Sequence, residues 1–517
     1  MLFSSAVFAG ELEDAVDILD SYNYEKAYDK LKVLCDSNNY DACSYQAEMH
    51  ELGLYVDKDY YEAFSLYSKA CNGGSAMGCA GVGYSYLKGQ GSGQSYSKAA
   101  DYFEKSCSDK NGFACEQLGK MHNDGIGFQQ NYETALSYYR KGCELDNNTA
   151  CSMIGYYFNF GTVVEQNLPE AVSYYKKGCD LGNKIACRYA ANILFNTPNE
   201  KPDYQQALSF YIEGCKIWDA ESCASAASMY EHGKGTKVDY NKMAEFYDKG
   251  CKLEDGASCY TYAFIFRDGK QLPANPTLAS EYYERSCNLG YQAGCFQAGV
   301  MSLYILPNKD YAKAFHLFTD SCNNSNTDSC VELGFMYDEG QATFVDKNKA
   351  EELFKKACKL DDPRGCYSYA LALQDNYKYK KDNETIFNYY QLACTKNFSP
   401  ACVNLAMMYY NGDYVKQDYF IAFEMLEKEC QNNHGISCSN IGVMYSLGQG
   451  VRANSLKAFS SYEKACNLNN AKGCNNLGVA YRQGVGVSIN KIKAKQMFGK
   501  ACDLKSQEGC DNYKSMK

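Results

Sequence analysis

The chain is patterned in short helical stretches of apolar residues, each closed by a polar patch. In ALSYYRKGC (residues 135–143) a small residue, an apolar one and two aromatics are spaced as on one helix, with few breakers among them. The same order returns in AVSYYKKGC (171–179), ALSFYIEGC (207–215) and ASEYYERSC (279–287). After the cysteine comes a turn-rich patch: DNN from Asp146, GN from Gly182, NGG from Asn72, DDP from Asp361. Asn, Asp and Gly tolerate left-handed geometry and end helices. A second cysteine opens another helical stretch, as in GCNNLGVAYRQG, and a looser Gly-rich loop leads to the next unit. Each unit predicts a helical hairpin.

The cysteines measure the period. All 28 fall into C-x7-C pairs: Cys35 and Cys43, Cys71 and Cys79, Cys107 and Cys115, Cys143 and Cys151, Cys179 and Cys187, Cys215 and Cys223, Cys251 and Cys259, Cys287 and Cys295, Cys322 and Cys330, Cys358 and Cys366, Cys394 and Cys402, Cys430 and Cys438, Cys466 and Cys474, Cys502 and Cys510. First members are 36 residues apart, except for one step of 35 from Cys287 to Cys322. A fixed period of this length means a repeat array. A single pair taken alone fits a nucleophile, metal ligands or a staple. Residues eight apart in one helix are separated by about 12 Å, and disulfide-bonded α-carbons lie within about 7 Å. The members of a pair can therefore bond only if the chain turns back between them, and the Asn/Asp/Gly patch supplies that turn.

Two small slots support antiparallel helices. Eight residues before the first cysteine stands Ala in twelve of fourteen units, Met243 and Ile386 being the exceptions. Four after the second cysteine stands Gly or Ala in thirteen, as at Gly83, Gly155, Ala191 and Gly478; the exception is Lys514, the polar end that a repeat array needs.

These units resemble the Sel-one-like repeat (SLR), a relative of the tetratricopeptide repeat. The resemblance rests on the Ala-x-x-Tyr-Tyr stretch, on Leu-Gly-x-x-Tyr and on the Gly-x-Gly loop, as in Leu477-Gly478-x-x-Tyr481 with Gly484-x-Gly486, and Leu118-Gly119 with Gly125-x-Gly127. With C-x7-C in every unit, the chain is similar to the Helicobacter cysteine-rich protein family, whose hairpins are each stapled by a disulfide. The likeness runs from about residue 25 to the end. It implies a penicillin-binding protein with weak β-lactamase activity.

Paired cysteines in this number imply an oxidising compartment. MLFSSAVFAG is apolar, and Val7-Phe8-Ala9 fits a small-x-small cleavage site without the usual basic n-region. The expected organisation is a signal-peptide remnant at 1–9, an N-terminal cap at 10–24 and one solenoid over 25–517, secreted or periplasmic. No stretch has the length of a membrane span. A net charge of −10 disfavours nucleic acid and anionic membranes as partners.

Candidate chemistry is sparse. S-x-x-K occurs at Ser95–Lys98, Ser173–Lys176, Ser461–Lys464 and Ser488–Lys491, with neither S-D-N nor K-T-G to complete a serine β-lactamase site. The histidines, His50, His122, His232, His316 and His434, are scattered and form no H-E-x-x-H. His50 and His122 take a slot filled elsewhere by Tyr230, Tyr337, Tyr445 and Tyr481, which predicts aromatic packing. C-x2-4-C zinc spacing is absent, so the thiols are expected as disulfides, with no metal or cofactor. Gly-x-Gly at Gly89, Gly233, Gly448 and Gly484 recurs with the period and predicts an interhelix turn rather than a phosphate loop. In the pairs Tyr138-Tyr139, Tyr174-Tyr175, Tyr282-Tyr283 and Tyr389-Tyr390 the rings point about 100° apart, so both cannot fill one groove.

The expected fold is all-α: an α/α superhelical solenoid of about fourteen disulfide-stapled hairpins. Its concave surface is expected to bind a protein or peptide at the cell envelope or host interface. Peptidoglycan fragments or β-lactams are the ligands of the hydrolase alternative. A thiol reservoir is a third reading, and it requires free thiols.

Overall fold

The computed structural model describes residues 2–196, 201–375 and 382–516, with side chains from Gly10 onward. The cleavage motif at 7–9 thus lies outside the described side chains. Among the described residues there are 29 α-helices, one π-helical turn (Met301–Ile305) and no strand. The chain divides into two compact units, Met1–Ile265 with Gly269–Pro273, and Phe266–Asp268 with Ala274–Lys517. Each carries seven of the fourteen stapled pairs.

The fourth repeat shows how one hairpin is made. Its first helix is Tyr132–Glu144 and its second Asn148–Phe160. Asn131 caps the first by accepting the Thr134 N–H (2.9 Å), and Asn147 caps the second through the Ala150 N–H (2.8 Å). Between them Asp146 takes a positive φ of 56°, which turns the chain back. Cys143 and Cys151 then come within 4.7 Å at their α-carbons and form a disulfide. The positive-φ turn and the staple recur in every repeat. All fourteen pairs are bonded, with α-carbons 4.4 to 4.8 Å apart, and no cysteine is free. Twelve residues before each first cysteine stands Asn, Asp or Ser, the cap of the first helix.

In the first unit, the N-terminal helix Leu2–Asp20 buries Ala15 against Leu31 and Leu34 of the first repeat, with Leu12 and Leu19 packed alongside. In the second unit the last repeats share a continuous core running from Ala422 through Leu426 and Tyr462 to Phe498. The Ala slot is buried throughout, and so are its two exceptions, Met243 and Ile386. Burial, rather than smallness, is the constant there.

Small residues of the second slot receive a ring from the next repeat. Gly119 faces Tyr139, Gly334 faces Phe354 and Gly478 faces Phe498; a β-carbon on these glycines would stand 2.5 to 2.7 Å from a ring atom. The tyrosine pairs are resolved accordingly. Tyr139, Tyr175, Tyr283 and Tyr390 are the buried members, while Tyr138, Tyr174, Tyr282 and Tyr389 are half-buried. Tyr138 and Tyr174 stack on the preceding repeat, at His122 (centroids 5.6 Å) and Phe158 (5.7 Å).

A lysine links consecutive repeats. Lys177 donates to the Cys143 carbonyl (2.6 Å), Lys356 to that of Cys322 (2.8 Å) and Lys500 to that of Cys466 (2.9 Å). Each ammonium sits on the last carbonyls of the previous first helix, where the helix dipole favours positive charge.

Candidate binding face

The residues singled out for enzymic chemistry have structural duties. Ser95 caps a helix through the Lys98 N–H, and the Lys98 amine lies over the Tyr86 ring. Lys176 pairs with Asp180 one turn on from Ser173. Ser461 is buried and donates back to the Lys457 carbonyl (2.8 Å). Ser488 and Lys491 lie exposed at a loop and the helix start that follows it.

The histidines stay apart. His50 bonds the Tyr28 hydroxyl (3.2 Å), and His122 is stacked between Phe128 (4.2 Å) and Tyr138. The aromatic slot therefore holds both, as the spacing predicts. Burial lowers the pKa of His122, with the Glu104 carboxylate opposing. His232 binds the Ser228 carbonyl, His316 lies edge-on to Phe315, and His434 contacts the Ser437 hydroxyl at the start of helix Gly435–Leu447. Among the described residues no group of three His, Cys, Asp or Glu is placed to hold a metal ion.

The Gly-x-Gly loops are interhelix turns. Gly89 and Gly91 both have positive φ, and a β-carbon on Gly91 would overlap the Tyr60 carbonyl at the start of its own repeat. Helices flank the loop on both sides, and it closes the hairpin against its first helix.

A different set of residues forms an open, repeated polar face. Asn404, Asn440, Asn476 and Asn512 each stand two residues after the second cysteine of the last four repeats. They lie on the second helices Ser399–Asn411, Gly435–Leu447, Ala471–Gln483 and Gln507–Ser515, and all four are half-buried. Three residues further on, one turn along the same face, stand Met407, Val443 and Val479, also half-buried. Neighbouring second helices meet here: the Asn440 amide lies 3.7 Å from the Met407 sulfur, and Asn512 donates to Asn475 (2.9 Å) while accepting from Arg482 (3.2 Å). Beside Asn404 a cavity of about 190 Å³ opens over Tyr390 and Met407, where the Tyr390 hydroxyl donates to Gln374 (2.9 Å). Ile436 and Leu447, 51% and 62% exposed, flank Asn440 on its helix. Sequence reasoning passed over these asparagines because Asn was read only as a turn residue. Their common offset from the staple was the signal.

The face offers a definite chemistry. A primary amide carries both donor and acceptor, so it can pair with a peptide N–H and C=O without regard to side chain. Repeated at one slot of successive helices, with apolar steps between, it suits an extended segment whose main chain is gripped and whose side chains are loosely selected.

Comparison with known proteins gives the family. The Sel1 repeat model matches eleven times, at residues 41–75, 76–111, 112–147, 149–183, 220–255, 256–291, 295–326, 327–362, 399–434, 435–470 and 471–506. No curated protein matches the chain. Among solved structures, a protective antigen of uropathogenic Escherichia coli displaying an SLR fold is 17% identical, with a TM-score of 0.58 over 95% of this chain and 96% of its own. A Sel1 repeat protein from Oxalobacter formigenes is 22% identical over 47% of this chain and 99% of its own (TM-score 0.41). Helicobacter pylori cysteine rich protein B is 30% identical over 32% of this chain and 94% of its own (TM-score 0.16). The first of these shows the same fold, and the repeat matches cover most of the sequence. This disulfide-stapled helical solenoid belongs to the Sel1 repeat family.

Proposed function

We propose that this chain is an exported scaffold that holds a peptide or an extended protein segment, with the asparagine ladder of its last four repeats gripping the main chain. The observation that carries this is the recurrence of Asn404, Asn440, Asn476 and Asn512 at one slot of consecutive second helices. The four amides keep one offset from the staple over four consecutive repeats, clear of the caps and turns, which supports a shared polar face. The fourteen disulfides support work in an oxidising compartment, at the cell envelope or host interface. The serines of the S-x-x-K pairs add nothing to a hydrolase reading, because capping, packing and surface positions account for them.

The test is selection from a random peptide display library on the oxidised full chain, followed by calorimetric titration of the enriched peptides. The double variant N440A/N476A is expected to lose about tenfold or more in affinity, with unchanged helical content. Enriched peptides that bind the variant as tightly as the parent would sink the ladder. Chromogenic cephalosporin turnover above a contaminant control, with a penicilloyl adduct in the intact mass, would move the function to the hydrolase.

A further inference from the structure

We propose that this protein binds a second copy of itself head to tail: a basic, apolar face on the last three repeats of one copy takes the acidic face of the first repeats of the next. The apolar part of the basic face is one slot of the first helices. Ten residues before the first cysteine stand Phe420, Leu456 and Ile492, in three consecutive repeats, 59%, 71% and 74% exposed. In most earlier repeats this slot is polar, as at Glu133, Gln205, Asn241 and Asn348. Ile489, in the loop before Ile492, is exposed as well. First helices of adjacent repeats are neighbours here, since Lys500 of the last repeat reaches the Cys466 carbonyl of the one before. Large apolar side chains left in water at one slot of neighbouring helices mark a place where another surface sits.

Cations border the slot. Lys416 and Arg452 stand four residues before Phe420 and Leu456, and Lys491 and Lys495 flank Ile492 on its own helix. Arg482, Lys491, Ile492, Lys495 and Tyr513 line one groove of about 700 Å³. Among the described residues none of these cations is paired with a carboxylate; Lys495 lies over the Tyr513 ring (5.5 Å), and Arg482 donates to Asn512 (3.2 Å). Residues 440–516 hold eleven lysines and arginines against four acids. The first repeats have the opposite sign. Residues 10–62 hold fourteen acids against four lysines, an excess as large as the net charge of −10 on the whole chain. Glu13, Asp17 and Asp20 are exposed on the side of helix Leu2–Asp20 turned away from the buried Ala15. Lys30 is engaged by Asp14. Glu48, half-buried nearby, has its pKa raised by burial and then by Glu51 and Asp20, as expected where negative charge is uncompensated. Tyr22 and Tyr61, both exposed, supply apolar surface among the acids. Apolar centres with rims of opposite charge suit each other as the two sides of one protein interface. Because the two faces differ, each contact leaves one face of either copy open, and copies add into a filament or close into a ring.

The experiment is sedimentation velocity on the oxidised full chain over a range of concentration and salt. The mean mass is expected to rise with concentration from one chain to two and more, and the association to weaken about tenfold or more from low to high salt. L456S/I492S changes two exposed side chains and is expected to weaken association about tenfold. E13K/D17K and K491E/K495E, each checked first by circular dichroism, are each expected to weaken it about tenfold or more. Their equimolar mixture is expected to regain it, because every acidic face then meets a basic one. Recovery in the mixture cannot come from a variant that has lost its fold. A single-chain mass at every concentration would overturn the proposal, and so would association that all three variants leave untouched. Loss in only one charge variant, or in both without recovery on mixing, would overturn the head-to-tail pairing. A chain that stays single but floats with phosphatidylglycerol vesicles, and no longer does so as K491E/K495E, would give the basic face to a lipid surface and overturn the second copy.

Discussion

Gly155 lies against the ring of Tyr175 in the next repeat, so closely that a β-carbon on the glycine would stand 2.8 Å from the ring carbon Cδ1. Real β-carbons do not approach so near, and the opposing atoms belong to a ring buried to 1% exposure. Gly155→Ala must therefore push the helices apart. We expect it to destabilise the fourth and fifth repeats by about 1–3 kcal/mol. Adding Tyr175→Leu should return part of that loss, and urea denaturation across the double-mutant cycle measures the coupling. Additive effects would show that the ring gives way freely.

The lysine that crosses between repeats is testable at Lys356. Its ammonium caps the carbonyl of Cys322 at 2.8 Å. Lys356→Met keeps the apolar stem and removes the charge. The expected cost is about 0.5–1 kcal/mol, seen as faster amide exchange at the end of helix Tyr311–Asn323. Unchanged exchange would mean that water serves the carbonyl equally well.

His122 makes one hairpin sensitive to pH. Burial between Phe128 and Tyr138 depresses its pKa below the ordinary value of 6.5, although Glu104 pulls the other way. The unfolded chain then binds the proton more readily than the folded one, so stability rises with pH in that window. The contribution is complete above pH about 6.5 and is lost as the pH falls from there toward the folded pKa. Thermal melts of parent and H122Y should diverge below that point, because tyrosine fills this slot in other repeats without titrating there. Parallel pH profiles would exclude His122 as the cause.

Each staple is expected to act on its own hairpin. Closing a loop of about nine residues is worth roughly 2.5 kcal/mol in the chain-entropy model. Replacing Cys143 and Cys151 by serine should lower protection in residues 132–160 by that order, while the hairpin closed by Cys466 and Cys474 stays protected. Exchange that rises equally along the whole chain would show one cooperative unit instead of local staples.

The sequence by itself determined the repeat, the hairpin and the staple. These depend on neighbours within one unit: the helical period before Cys143, the turn residues at Asp146 and Asn147, and an eight-residue separation that reaches only if the chain folds back. It also placed His50 and His122 in an aromatic slot, because tyrosines hold that slot in other units. What only the tertiary structure decided is how units meet. Tyr138 and Tyr139 are equal in the sequence, and Tyr139 is the buried one because Gly119 of the preceding repeat leaves space for its ring. Lys177 reads as a surface charge until the Cys143 carbonyl is found within its reach. Asn404 and its three counterparts are scattered polar residues along the chain, and become one face only when successive second helices lie side by side. A local pattern is written in bonds a few residues long. The meeting of residues some 34 positions apart is set by how one repeat packs on the next, and there the rings, the lysines and the ladder acquire their roles.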